Sequence, residues 1–409
     1  MQLTNPQVVL LCAGKSSRFY PFTDSFHKSM IRIAGKPILE HTLDQLVSCG
    51  LKDIIIVLGP KEAGSQEIVA HCGQGQKWGI SIRYVYEKEQ LGMGKAVQTT
   101  APLLTRPFFV LNPNHINAAQ FIPELFSKFS TNSRGVLLIR ETHTPQNYGV
   151  VLLDQDKVVS VIEKPSPESP PSNKKIIGIY LLNPTFLNTL QKVPVAQDQF
   201  ETALDIFTKE QPLTAVTTDK PTFSLKYPWH LFTIKQHILQ NSKEKMGQQV
   251  TIHPTAILEG HIIMEEQVKI GEYAIIKGPA YIGKNVHIGS HTLVRNYTSL
   301  ESDSSIGCYT EIKNTLLGVK STLHSGFIGD SLIGENTHIG ADFISANKRL
   351  DRTAINTMVK GEKINTHLTA LGTMIGNNCK IGIRVSTMPG ITIGPQKAIG
   401  PGEIIRKNF

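Results

Sequence analysis

The sequence predicts an α/β chain in two parts, a mostly parallel sheet covered by helices and then a parallel β-helix. Two observations carry that prediction. From Val8 to about Asn241, β-branched runs (VVLL, DIIIVLG, ISIRYVYE, PFFVLN, GVLLI, YGVVLL, IIGIYLL) alternate with helix-like stretches, the pattern of strands and crossover helices. Beyond them, Ile270, Ile276, Ile282, Ile288, Val294, Leu300, Ile306 and Ile312 recur every six residues, and the series resumes at Ile375, Ile381, Ile393 and Ile399, with Thr387 at the missing step. One inward aliphatic residue per short strand at that period builds a coil in which each turn buries its side chain against the next.

Each element follows from its own residues. In the first part, Pro37 to Cys49 sets Ile38, Leu39, Thr42, Leu43, Leu46 and Val47 on one helical face, with Pro37 suited to a first turn and Gly50 to a C-terminal cap. Alternation of this kind places ligands at the carboxyl ends of the strands, where the first strand breaks into Ala13-Gly14-Lys15-Ser16-Ser17-Arg18. The phosphate loop G-x-x-x-x-G-K-[ST] is excluded, since it needs glycine at Val9. The polar run Gln240–Lys245 marks the boundary, giving domains 1–241 and 251–409 with a linker at 242–250. In the second part the spacing shortens between Leu317 and Ile344 and breaks from Ala346 to Leu371, where loops leave the coil and sites tend to lie.

The chain has 409 residues, 40% hydrophobic and 18% charged, enough for two cores. Its five cysteines lie far apart with no C-x-x-C pair, so neither a disulfide framework nor a zinc site is expected. The net charge is +9, but the basic residues are scattered without interleaved aromatics, which argues for phosphate-bearing small molecules over nucleic acid. MQLTNPQ is unlike a leader and no apolar run reaches a membrane span, so a cytoplasmic protein without membrane association is expected.

On these residues the first part resembles the sugar-1-phosphate nucleotidyltransferases, and nearly the whole length resembles the bifunctional UDP-N-acetylglucosamine pyrophosphorylase/glucosamine-1-phosphate acetyltransferases. That resemblance implies a Rossmann-like nucleotidyltransferase domain followed by a left-handed parallel β-helix of hexapeptide repeats, assembled as a homotrimer. The opening L-A-A-G-x-G-T-R is matched by Leu11 to Arg18, with Ser16 at the second glycine, and the P-K-P lysine by Lys28. Ala13, Gly14 and Lys15 would cradle nucleotide phosphates with backbone N–H groups. Arg18 and Lys28 would serve as the catalytic charge clamps. Glu89-Gln90-Leu91-Gly92-Met93-Gly94 resembles the base-reading loop, through Gln90 and Gly92. Tyr148-Gly149-Val150-Val151 and Glu163-Lys164-Pro165 resemble the segments whose glycine, glutamate and lysine (Gly149, Glu163, Lys164) hold the sugar phosphate. The family's two Mg2+-binding aspartates fall at Asn114 and His230, which leaves an amide oxygen and an imidazole where a hard cation needs carboxylates.

In the coil, Arg295, Lys313 and Asn347 fall at the family's sugar-phosphate and acetyl-CoA site, together with Glu311, and His324 at its general base. The family tyrosine is Phe327 and its lysine Thr353. The expected function is therefore transfer of a nucleotidyl group from UTP or another NTP to a sugar 1-phosphate with release of pyrophosphate, with acetyl-CoA a second substrate in the coil. The alternative is a catalytically degenerate homologue that binds nucleotide sugars without turnover, as positions 114 and 230 suggest.

Overall fold

The computed structural model describes residues 5–23, 26–60, 63–130 and 133–409, so the first four residues of MQLTNPQ lie outside the described ones. Two compact units emerge, and they do not follow the chain linearly: one joins Met1–Lys15 to Ile38–Phe223, the other Ser16–Pro37 to Ser224–Phe409. Residues 16–37, expected within the first domain, pack with the coil because their apolar side chains, Phe22 and Ile31 among them, line a pocket with Leu316, Leu332 and Ile333.

The first unit is built on a nine-stranded sheet. In chain order its elements, with those of residues 16–37 interposed, are β1 (Gln7–Cys12), β2 (Arg32–Ile33), β3 (Lys36–Pro37), α1 (Ile38–Ser48), β4 (Asp53–Leu58), α2 (Ala63–Cys72), β5 (Ser81–Tyr86), α3 (Met93–Thr99), β6 (Phe108–Leu111), α4 (Ile122–Lys128), β7 (Gly135–Glu141), β8 (Gly149–Asp154), β9 (Lys157–Glu163), β10 (Lys174–Leu182), α5 (Phe186–Lys192), α6 (Gln199–Glu210) and β11 (Leu213–Thr217). The sheet order is β5-β4-β1-β6-β10-β7-β11-β9-β8, with β2 and β3 forming a separate hairpin. It is parallel from β5 to β6 and mixed beyond, since β10 runs antiparallel to both β6 and β7. Helix α1 buries Ile38, Leu39, Thr42, Leu43 and Leu46 as the spacing predicts. Gly50 follows it at φ 77, the left-handed conformation that closes a helix. Strands β9 and β11 are not among the runs read from sequence. Thr208 of α6 ties them together, donating to the Val158 carbonyl at 2.6 Å and accepting from the Leu213 N–H at 3.1 Å.

The second unit contains α7 (His230–Asn241) and the coil, three eight-stranded parallel sheets stacked around one axis. Its first rung, Lys245–Met246, already pairs with Ile263 and Met264, inside the stretch 242–250. Ile252, Ile270, Ile288, Ile306, Leu323, Ile339, Ile381 and Ile399 lie in direct register down one sheet, seven of them buried and Ile252 packed at the end of their core. The turns between strands place Asn285, Asp303, Asn336 and Asn378 at φ values from 52 to 61, which Asn and Asp tolerate best after glycine. Their side chains extend the ladder, Asn285 Nδ2 donating to Asp303 Oδ1 and Asn336 Nδ2 to Asn378 Oδ1, each at 2.8 Å. The interruption expected after Ala346 holds a hairpin, Asn356–Val359 with Glu362–Asn365, after which the coil resumes at Thr373–Ile375.

Removing one rung's side chain leaves a cavity the rungs on either side cannot close. Ile306→Ala is expected to destabilise the coil by about 2–5 kcal/mol, read from the urea midpoint of the intact protein.

Candidate functional site

At the carboxyl ends of the parallel strands, the first unit brings Ala13, Gly59 and Gln90 into one cluster, with Gly92 two residues farther along the same loop. Gly59 has no room for a Cβ, because the Gln90 amide nitrogen and the Ala13 carbonyl already occupy that space. Gly92, at φ 109, sits equally close to the Ala196 and Gln197 carbonyls. Gln90 Oε1 is buried without a hydrogen-bond partner among the described residues. An unsatisfied amide oxygen is costly unless a ligand completes it, so it is suited to a donor on a nucleobase edge. Glu87, which the sequence reading passed over, holds this loop: its Oε1 accepts the Leu91 N–H at 3.1 Å, and burial pushes its carboxyl above the usual carboxylate range. Gly14 and Lys15 are exposed at the tip of the opening loop.

A second cluster gathers Gly149, Glu163, Lys164 and Glu201. Gly149 pairs with Glu163 across the β8–β9 hairpin, and a Cβ on it would stand 2.9 Å from Glu163 Oε2 and 3.9 Å from Glu201 Cγ. Lys164 Nζ lies 3.1 Å from Glu163 Oε1. Burial, then the nearby Glu163 charge, push Glu201 up to about 7. A carboxyl held protonated to higher pH than usual can donate to a sugar hydroxyl as well as accept from one. Asp205 plays another part, accepting from Ser160 Oγ at 2.8 Å and the Val161 N–H at 2.9 Å and so tying α6 to the middle of β9.

The two positions aligned with metal-binding aspartates do not fit a magnesium ion. Asn114 donates its amide to the Phe223 carbonyl at 2.6 Å and can offer only a neutral oxygen. His230 accepts from the Lys226 N–H at 3.2 Å through Nδ1 and bonds the Ser224 backbone, and burial lowers its pKa to about 4. Among the described residues no group of three His, Cys, Asp or Glu side chains is placed to hold a metal ion. His115, next to Asn114 in sequence, is buried, and burial lowers its pKa to about 4.

In the second unit, Arg18 is exposed on a short helical turn, Ser17–Phe19. The preceding Ser16 stands at φ 54, the left-handed conformation that the family's glycine takes without strain. Lys28 donates to the Leu225 carbonyl at 2.9 Å. Along the coil, Asp330 is the organising group and the residue sequence reasoning missed. Buried, it accepts from Asn347 Nδ2 at 2.6 Å and Asn314 Nδ2 at 2.8 Å and lies 3.5 Å from Lys313 Nζ. Arg295 pairs with Glu311 at 2.8 Å. His324 is exposed at the other end of the strand Gly326–Gly329, in a shallow groove with His287, Thr322 and His338. Phe327 follows Glu311 in register, and Thr353 is held by Arg349 and Asp351.

A mixed sheet with ligand loops at its strand ends, joined to a coil of hexapeptide repeats, defines a two-part transferase. The family model for nucleotidyl transferases matches residues 7–220, and that for bacterial transferase hexapeptide repeats matches residues 261–296. A relative from Methanococcus maripaludis strain C7, the bifunctional protein GlmU, is 37% identical over 97% of this chain and 94% of its own length. One from Sulfurisphaera tokodaii, a bifunctional sugar-1-phosphate nucleotidylyltransferase/acetyltransferase, is 27% identical over 98% of this chain and 97% of its own. A putative glucose-1-phosphate thymidylyltransferase of Bacillus anthracis shares the fold over 60% of this chain and 98% of its own, at 20% identity and a TM-score of 0.51. The chain belongs to the nucleotidyl transferase family, as an enzyme carrying a hexapeptide-repeat coil.

Glu201 titrates higher folded than unfolded, so its stabilising contribution is present below about pH 4.5 and is lost as the pH rises through about 7. Glu201→Gln, neutral throughout, is expected to remove a pH dependence on the order of 2 kcal/mol from the urea unfolding free energy over that interval.

Proposed function

We propose that the chain is a sugar-1-phosphate nucleotidyltransferase that takes UTP and a hexosamine 1-phosphate, releases pyrophosphate, and acetylates glucosamine 1-phosphate from acetyl-CoA in its coil. The observation that carries this reading is the 37% identity to a bifunctional relative across both parts of the chain. The two clusters of the first unit support it, one completing a base-binding loop around Gln90, the other setting Glu163 and Lys164 beside Gly149. The sugar phosphate oxygen attacks the α-phosphorus, the new P–O bond forms as the bond to pyrophosphate breaks, and Lys28 and Arg18 offset the charge that develops. Mg2+ is the cation the resemblance implies, and Asn114 and His230 are not assigned to it. In the coil, His324 takes a proton from the attacking amine while Arg295, Lys313 and Asn347 hold the sugar phosphate and the acetyl donor. A homotrimer in the cytoplasm accompanies this reading, and the described helices include none long and apolar enough to cross a membrane.

The test is pyrophosphate release from UTP and N-acetylglucosamine 1-phosphate with Mg2+ or Mn2+, beside CoA release from acetyl-CoA and glucosamine 1-phosphate. Lys28→Ala is expected to lower the first kcat about 100- to 1,000-fold, and His324→Ala the second about 100- to 10,000-fold. No pyrophosphate from the wild type, with activity appearing in Asn114→Asp/His230→Asp, would favour the ligand-binding homologue.

A further inference from the structure

Outward-facing residues of the coil are normally wet: Lys269, His287, His338 and Lys380, on one sheet, are all exposed. Tyr281 and Ser299, adjacent in register on another sheet, are only 2% and 0% exposed. What covers them is the β2–β3 hairpin, whose turn Ala34-Gly35 stands at φ 51 and 80. Ala34 packs on Tyr281 with Ile263 and with Leu239 of α7, and the Tyr281 hydroxyl fills the space a Cβ on Gly35 would need. The contact is also polar and specific. The Ala34 N–H donates to Ser299 Oγ at 3.2 Å, the Gly35 N–H to Glu301 Oε2 at 3.0 Å, and Ser299 Oγ donates in turn to Glu301 Oε1 at 2.7 Å. Arg32 NH1 closes the turn on the Gly35 carbonyl at 3.1 Å.

Burying a carboxylate is costly, and Glu301 is only 1% exposed. Burial pushes it up to about 7, against hydrogen bonds from Ser299 and the Gly35 and Ala34 backbone. The coil itself has no need of such a group, since the equivalent positions on the rungs either side are Gly283 and Gly318. Its donors all come from the hairpin or from Ser299, so its effect is to fix the hairpin in one place. Farther along the same segment, the Pro21 carbonyl and Tyr20 hydroxyl fill the space beside Gly376 and Gly394. The segment is therefore held on the coil at two places flanking Lys28.

We propose that Ser299 and Glu301 are positioning residues for nucleotidyl transfer: they clamp the Ala34-Gly35 turn to the coil and thereby set the segment that presents Arg18 and Lys28. The proposal rests on the reading of those two cations as charge clamps on the triphosphate. Misplacing a charge by about 1 Å can cost about 100-fold in rate while ground-state binding through other groups persists.

The test uses the full-length protein with Glu301→Ala, Ser299→Ala and Glu301→Gln, followed by amide hydrogen exchange and steady-state pyrophosphate release. In Glu301→Ala, exchange across Arg32–Pro37 is expected to rise about tenfold or more, the loss of one hydrogen-bonded anchor, with the coil strands Lys380–Ile381 and Ala398–Ile399 unchanged. Its kcat is expected to fall about 100-fold with KM for the sugar phosphate within about twofold. Ser299→Ala is expected to shift both in the same direction by less. Glu301→Gln is expected to restore both, since its carbonyl accepts from Gly35 and its amide donates to Ser299 Oγ. Unchanged exchange in Glu301→Ala, or raised exchange with an unchanged kcat, overturns the proposal while leaving the catalytic reading intact. A wild type that releases no pyrophosphate overturns the catalytic reading and the proposal together.

Discussion

Along the axis of the coil, one aliphatic side chain from each strand rests on its equivalent in the next turn, and much of the second unit depends on that stack. Because Ile270, Ile288, Ile306 and Ile381 stand in direct register, each strand's position is dictated by the one below it. Every turn between strands must then reverse the chain in the same few residues, which is why left-handed positions recur along the coil, some of them as Asn and Asp ladders. The stack also decides where chemistry can lie. With the inside filled mainly by aliphatic side chains and a few small hydroxyl residues such as Thr387, charged groups are kept off the axis, and Asp330 collects Lys313, Asn314 and Asn347 at one corner.

The first unit solves a different problem, that of holding polar groups ready without a partner of their own. Gln90 keeps a buried amide oxygen unsatisfied beside Gly59 and Ala13, while Glu87 holds the loop that carries it. Glu163 and Glu201 share a cramped space that only glycine at 149 leaves open. The metal-binding aspartates are replaced by residues already engaged elsewhere, Asn114 with Phe223 and His230 with Lys226 and Ser224. In the proposed reaction, charge compensation at the triphosphate would then fall more heavily on Arg18 and Lys28.

Periodicity made much of this legible in advance. The six-residue series needed no structure to announce a coil, and the runs from VVLL to IIGIYLL became strands where they were read. At Gly92 and Gly149, which the motifs single out, a Cβ would be crowded by the Ala196 and Gln197 carbonyls and by Glu163 Oε2. Strands β9 and β11 escaped because KVVSVIE mixes polar with apolar residues and LTAVT is short, and Thr208, from a helix, holds them. Asp330 sat in plain view within FIGDS, but nothing local says that one aspartate will meet two asparagines and a lysine from neighbouring rungs. Least legible was the company kept by residues 16–37. Glu301 lies 266 positions beyond Gly35, and no period or motif connects them.

That separation bears on how the protein is made. The polypeptide leaves the first unit after Lys15, returns at Ile38 and leaves again after Phe223, so the opening segment emerges from the ribosome long before its resting place exists. At about 5–20 residues per second, roughly 15–50 s pass before Glu301 is synthesised. During that interval Phe19, Phe22, Met30, Ile31 and Ile33, all buried in the finished protein, have no coil to cover them. The segment is thus one of the first parts translated and one of the last able to settle, and a nascent chain stalled before the coil would carry an apolar stretch open to chaperones.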